Sequence, residues 1–210
     1  MIIKVCGMRD GDNIRQIEKL GIDIIGFIFY SKSPRYISER PAYLPENIRK
    51  AGVFVNENLH SIQEKIKSFH LDYVQLHGEE PPELCQTLQK SGVKIIKAFP
   101  IGDTDDLKPC ISYYTCCDFL LFDTRISTGR GGSGKTFPWE ILDSYHGPVP
   151  FLLSGGIAPE DFIKIKRFFH PKFAGIDLNS RFEIEPGLKN AEKLKRFIDH
   201  IKFTDRNEQD

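Results

Sequence analysis

The sequence predicts one closed (β/α)8 barrel over residues 1–210, with a polar tail from about 203. Three observations carry that expectation. Short apolar, β-branched runs alternate with amphipathic runs along the whole chain, and eight of the former can be counted. Repeated βα units imply parallel strands joined by right-handed crossovers, and eight in 210 residues fits a small barrel. No linker, charge block or composition break divides the chain.

The elements follow in order. "MIIKV" reads as a strand, and "DNIRQIEKLG" as a helix with Ile14, Ile17 and Leu20 on one face and Gly21 as its stop. "IDIIGFIFY" is a strand. "ERPAYLPENIRK" reads as a weaker helix interrupted by Pro45, and "AGVFV" as the third strand. "ENLHSIQEKIKSFH" carries Leu59, Ile62, Ile66 and Phe69 at helical spacing. "DYVQLHG" is a strand, "PPELCQTLQKSG" a helix opened by proline and closed by glycine, and "KIIKAF" a strand. A poorly defined helical stretch near "TDDLKPCISYY" leads to the strand "DFLLFD". A short helix near "FPWEILDSY" leads to "PFLLSGG", "APEDFIKIKRFF" to "FAGIDLNS", and "LKNAEKLKRFIDHIK" closes the pattern.

Lys plus Arg and Asp plus Glu both count 29, so no net charge favours nucleic acid or a membrane surface. No run approaches the roughly 18 apolar residues of a spanning helix, and the N-terminus lacks a secretory h-region. Five cysteines without a C-x-x-C pair argue against a disulfide framework or a zinc site and fit a reducing cytoplasm. Cys85, Cys110, Cys116 and Cys117 read as small buried hydrophobes.

In such a barrel, chemistry collects where strands end. Cys6-Gly7, Tyr30 to Arg35, Asn56, Gln75, His77, Lys97, Asp123, Ser154-Gly155-Gly156 and Asp177 to Ser180 all follow strand-like runs. A thiol, a carboxylate, an imidazole and cations on one face make an active-site pattern. "GRGGSGKT" (129–136) matches a nucleotide P-loop, but Asp123 to Thr128 separate it from the preceding strand and Pro138 follows too soon. It reads better as a loop closing over a substrate. "LSGGI" and "DLNS", ending the last two strands, read as a phosphate site, where Gly155, Gly156, Asn179 and Ser180 let backbone N–H groups approach an anion.

Taken together, "KVCGM", "GFIFYSKSPRY", "GVFVN", "VQLHG", "IIKAF", "LFDT", "GGSGKTFPW", "LSGGI", "GIDLNS" and "EPGLK" resemble the phosphoribosylanthranilate isomerase family of tryptophan synthesis over nearly the whole chain. The resemblance implies a (β/α)8 barrel and an Amadori rearrangement of an aminoaldose to an aminoketose by general acid–base catalysis, without cofactor or metal. It implies Cys6 as general base and Asp123 as general acid. A thiol of ordinary pKa near 8.5 then needs its anion stabilised, and a carboxyl near 3.9 needs raising. It implies Arg35 against the anthranilate carboxylate, where a guanidinium fork suits a planar anion. By position Gln75 and His77 line the substrate site or serve as structural hydrogen-bond partners, Asp177 orients a substrate hydroxyl or supports its neighbours, and Lys135 either touches phosphate or is a solvated loop residue. Monomers and dimers occur in the family; a monomer acting on a small molecule is expected. The chain departs from the commoner Cys-Gly-Ile-Thr in reading Cys6-Gly7-Met8-Arg9, and carries Arg181 where glycine is frequent.

Overall fold

A computed structural model describes residues 1–124 and 137–203 of the 210-residue chain. Eight parallel strands close on themselves in chain order: β1 (Ile2–Val5), β2 (Ile24–Ile28), β3 (Arg49–Phe54), β4 (Tyr73–Leu76), β5 (Lys94–Ile101), β6 (Phe119–Thr124), β7 (Phe151–Leu153) and β8 (Phe173–Leu178). The closure joins first strand to last, with Lys4 opposite Asp177 and Val5 opposite Leu178. The N–H of Cys6 then donates to the Leu178 carbonyl at 2.9 Å. No helix among the described residues is long and apolar enough to cross a membrane.

Among the described residues five α-helices cover the barrel: α1 (Gly11–Glu18), α2 (Leu59–Phe69), α3 (Pro82–Gln89), α4 (Phe162–Arg167) and α5 (Ala191–Phe203). Local chemistry sets their ends. The Asp10 carboxylate accepts from Asn13 N at 2.7 Å and opens α1, and Asn58 does the same for α2 through Ser61 N at 3.0 Å. Pro82 opens α3, where its missing N–H costs nothing.

Three crossovers depart from an α-helix. The expected helix over "ERPAYLPENIRK" is absent: residues 38–48 run as loop and bends. Pro41 and Pro45 each push the preceding residue out of the helical region. Among the described residues, the β5–β6 crossover holds a 3-10 helix, Thr104–Tyr113, and the β6–β7 crossover another, Trp139–Ser144. The first contains Pro109, which cannot donate to an α-helical ladder. Past β8, a 3-10 turn (Ser180–Phe182) and a small hairpin, β9 (Glu183–Glu185) with β10 (Leu188–Lys189), precede α5. Leu188 and Lys189, expected in the final helix, belong to that hairpin.

Strand alternation divides the side chains in two. One set, including Ile24, Ala51, Tyr73, Ile96, Leu121 and Leu152, fills the barrel interior. The other packs outward under the helices in the larger core, with Phe27, Phe54, Phe122 and Phe151 fully buried. At their C-terminal ends β1, β4, β6 and β8 turn polar residues inward instead. Those ends form the mouth.

Candidate active site at the barrel mouth

Cys6 follows β1 on the inward face it shares with Lys4, two residues back. Lys4 is fully buried and its ammonium donates to Asp177 Oδ1 at 2.9 Å. Burial opposes its charge, but Asp177 and Cys6 hold its pKa above the ordinary lysine value. The Cys6 thiol is pushed up by burial, while Lys4 and Lys189 pull it down and Asp177 adds to the rise. One glycine makes room for the thiol and another for its neighbours. A Cβ on Gly26 would lie 2.8 Å from Cys6 Sγ. Gly7 has φ +78°, and its Cβ would fall 2.7 Å from Arg35 Cδ and 2.9 Å from Asn179 Oδ1.

The β9–β10 hairpin supplies a second charged layer beside the thiol. Buried Lys189 donates to Asn179 Oδ1 at 2.7 Å and to Glu183 Oε1 at 2.6 Å. Arg35 grips the same carboxylate through Nε (2.8 and 3.0 Å) and Nη2 (2.6 Å). Burial alone would raise Glu183, yet Arg35, Lys189 and the Gly187 N–H hold its pKa at about 2.

The opposite side of the mouth is a relay across β4, β6 and β7. Gln75 Nε2 lies 3.0 Å from His77 Nδ1, and His77 Nε2 lies 3.2 Å from Asp123 Oδ2. Asp123 Oδ1 accepts from Thr124 N at 2.8 Å, and the Thr124 hydroxyl donates to Gly155 O at 2.9 Å. Gly155 and Gly156 turn the chain with φ +86° and +81°. A Cβ on Gly155 would meet Thr124 N at 2.2 Å and Asp123 Oδ1 at 2.6 Å, so only glycine lets β7 end this close to the carboxylate. His77 and Asp123 stay about a third exposed, at 32% and 28%. The Gln75 Oε1 atom is buried without a hydrogen-bond partner among the described residues.

Asp177 joins the two sides. Besides its bond to Lys4, its carboxylate interacts electrostatically with Asp123 and His77, and it contributes to the environment of Cys6. The thiol and the acid therefore face one mouth.

Cys6, Arg35 and Asp177 thus gather on one side, and Gln75, His77 and Asp123 on the other. Gly155, Gly156, Asn179 and Ser180 sit at the adjacent ends of β7 and β8. The Asn179 side-chain oxygen accepts from buried Lys189. One expectation is altered. Lys97 does not line the mouth: it lies among the outward-facing residues of β5, bonded to Glu80 at 3.2 Å and to the Gly78 carbonyl at 2.7 Å. Asn56 caps the neighbouring loop through Glu79 N at 2.7 Å. Lys135 and the P-loop-like 129–136 segment lie outside the described residues, as does the polar tail from residue 204. Lys4, Lys189 and Glu183 were missed by sequence reasoning. Lys4 had a signal, being a charge in an apolar strand two residues before Cys6 and hence on its face.

The family model for "N-(5'phosphoribosyl)anthranilate (PRA) isomerase" matches residues 3–200. A protein of that name from Parabacteroides distasonis is 54% identical over 207 residues, covering 96% of this chain and 93% of its own. The solved phosphoribosyl anthranilate isomerase of Thermotoga maritima superposes with a TM-score of 0.81 at 33% identity, covering 96% of this chain and 99% of that one. A further structure of such an isomerase, in complex with reduced 1-(o-carboxyphenylamino)-1-deoxyribulose 5-phosphate, superposes with a TM-score of 0.78 at 30% identity, covering 96% and 99%.

Proposed function

The chain belongs to the N-(5'-phosphoribosyl)anthranilate isomerase family, and from that premise we propose how the residues at its barrel mouth divide the work of the rearrangement. The reaction is the aldose–ketose isomerisation of a phosphorylated aminosugar in tryptophan biosynthesis.

In this assignment Asp123 is the general acid. It gives a proton to the furanose ring oxygen, the C1–O bond breaks and the sugar opens to an iminium. Cys6, as thiolate, takes the proton from C2. The C2–H electron pair moves into the C1–C2 bond and neutralises the iminium, giving an enolamine that tautomerises to the ketone. The His77 imidazole stands 3.2 Å from Asp123 Oδ2, where it can return a proton to the carboxylate between turnovers. Lys4 and Lys189 favour the thiolate.

The phosphate is assigned to the turns at Gly155-Gly156 and Asn179-Ser180. The substrate carboxylate is assigned to Arg35. Its Nε and Nη2 hold Glu183, which leaves Nη1 as the donor facing substrate. Glu183 thereby fixes the guanidinium before substrate arrives, lowering the entropy lost on binding.

The observation that carries the assignment is the pair of lysines acting on one buried thiol, with a carboxylate–imidazole pair across the same mouth. The test is a fluorescence assay following consumption of phosphoribosylanthranilate by purified protein. Turnover is expected with kcat/KM rising toward alkaline pH as Cys6 ionises; no turnover removes the reading. Arg35→Ala is expected to raise KM about tenfold or more, the scale of one charged hydrogen bond, with a smaller effect on kcat. An unchanged KM removes the carboxylate assignment.

A further inference from the structure

Away from the mouth, three thiols that the rearrangement leaves unused meet between α3 and the lead into β6. The sulfur atoms of Cys85, Cys116 and Cys117 all lie within 4.8 Å of one another. Cys85 and Cys116 are fully buried and Cys117 is 9% exposed. Cys85 shares the inward face of α3 with Leu88, three residues on. Successive residues of a strand would point to opposite faces. Cys116 and Cys117 instead occupy the turn before β6, and both reach Cys85. The Cys116 thiol also approaches Tyr113 O at 3.6 Å. Thiols are weak donors and weak acceptors, so such contacts do little for stability. The outward-facing Lys97 ammonium acts electrostatically on Cys85.

We propose that Cys85, Cys116 and Cys117 form a three-sulfur binding site for a soft monovalent cation, Cu(I). Thiolates select Cu(I), zinc and iron–sulfur clusters. Structural zinc takes four ligands, and iron–sulfur clusters take four cysteines. Among the described residues no fourth His, Cys, Asp or Glu joins this group. A three-coordinate ion is complete with what is present. Sulfurs bonded at about 2.3 Å to one central ion stand roughly 4 Å apart in a trigonal plane, so the cluster needs only a small contraction. Binding releases the thiol protons: three Cys–SH and one Cu(I) give a copper tris-thiolate and three protons, with no change of oxidation state. Lys97 offsets part of the excess negative charge. The bound ion ties α3 to the start of the strand that carries Asp123.

The experiment titrates the full-length, fully reduced protein with Cu(I) under nitrogen against a coloured Cu(I) chelator. One equivalent is expected to be withheld from the chelator, with three sulfur neighbours in copper X-ray absorption. Cys6→Ser and Cys110→Ser are expected to keep that equivalent; Cys85→Ser and Cys117→Ser are expected to lose it. Should a serine variant fail to fold, wild type and Cys6→Ser decide alone. Complete surrender of copper to the chelator overturns the proposal, as do fewer than three sulfur neighbours. Loss of copper in Cys6→Ser overturns it by moving the ion to the mouth. Retention of one zinc ion in a four-ligand shell, when Zn(II) replaces Cu(I), overturns the trigonal assignment.

Discussion

The two sides of the barrel mouth are built on opposite plans. The thiol side is dry and ion-paired: Lys4, Asp177, Lys189 and Glu183 all lie at or near full burial, each with a charged partner. The acid side is shallower: hydrogen bonds join Gln75 to His77 and Asp123 through Thr124 to Gly155, and a 3.2 Å imidazole–carboxylate contact links the two. The difference fits the roles proposed for the two groups. A thiol becomes a base only as an anion, and burial alone works against that, so cations must stand beside it. An acid must receive a new proton each cycle, which favours a rim position beside an imidazole.

The sharpest test of the comparison removes the proposed base from one side and the proposed acid from the other. Cys6→Ser and Asp123→Asn are each expected to lower kcat by about 10²- to 10⁴-fold while leaving KM comparatively unchanged. Steady-state kinetics on both variants checks this. Wild-type turnover in either would dissolve the division of labour.

Next comes the ion pair beneath the thiol. Lys4→Met leaves the Asp177 carboxylate buried without its partner, and losing one member of a buried pair costs about 3–5 kcal/mol. It also removes the nearest cation opposing the rise in the Cys6 pKa. The alkaline rise in kcat/KM is therefore expected to move to higher pH. Denaturant unfolding and a pH–rate profile read the two effects separately. A destabilised variant with an unmoved profile would make Lys4 a structural residue only.

On the acid side the comparable intervention is smaller. Gly155→Ala puts a methyl group against Thr124 N and Asp123 Oδ1 at a residue with φ +86°. Forcing such a backbone costs about 1–3 kcal/mol. The hydrogen bonds of Asp123 should loosen, so kcat is expected to fall more than stability requires. Full activity at reduced stability would show that Asp123 does not depend on this turn.

The same contrast separates what was readable in the chain from what was not. All eight strands were legible because β-branched runs recur between turn signals. Asp123, Cys6, Gln75 and His77 were legible as polar residues ending such runs. The missing helix before β3 was misread because its apolar residues were counted while two prolines, Pro41 and Pro45, decide the backbone. The pairing of Arg35 with Glu183 spans 148 residues and that of Lys4 with Asp177 spans 173. No local pattern encodes either. Both arise from barrel closure and from the β9–β10 hairpin, of which Leu188 and Lys189 read as the start of α5.

The smallest expected effect tests whether the thiol side carries its charge network as a unit. Glu183 is held at about 2, well below an ordinary glutamate near 4.3, because Arg35 and Lys189 bond its anion. The folded pKa is depressed, so the stabilisation is fully present above about pH 4.3 and is lost as pH falls toward 2. Within that window the unfolded chain binds the proton first. Unfolding free energy should then fall by at most about 1.4 kcal/mol per pH unit from this one group. Arg35→Lys keeps the positive charge but gives up the two-nitrogen grip, so the Glu183 pKa should rise part of the way back and the window should narrow from its acid end. Thermal unfolding of wild type and variant at pH 5, 4 and 3 measures the difference. Near pH 5 the stability difference should be largest, and it should shrink toward pH 3 as the wild type alone continues to lose stability. Parallel curves would mean that Lys189 holds Glu183 by itself. The guanidinium would then be free of the hairpin, and the thiol side would consist of independent pairs.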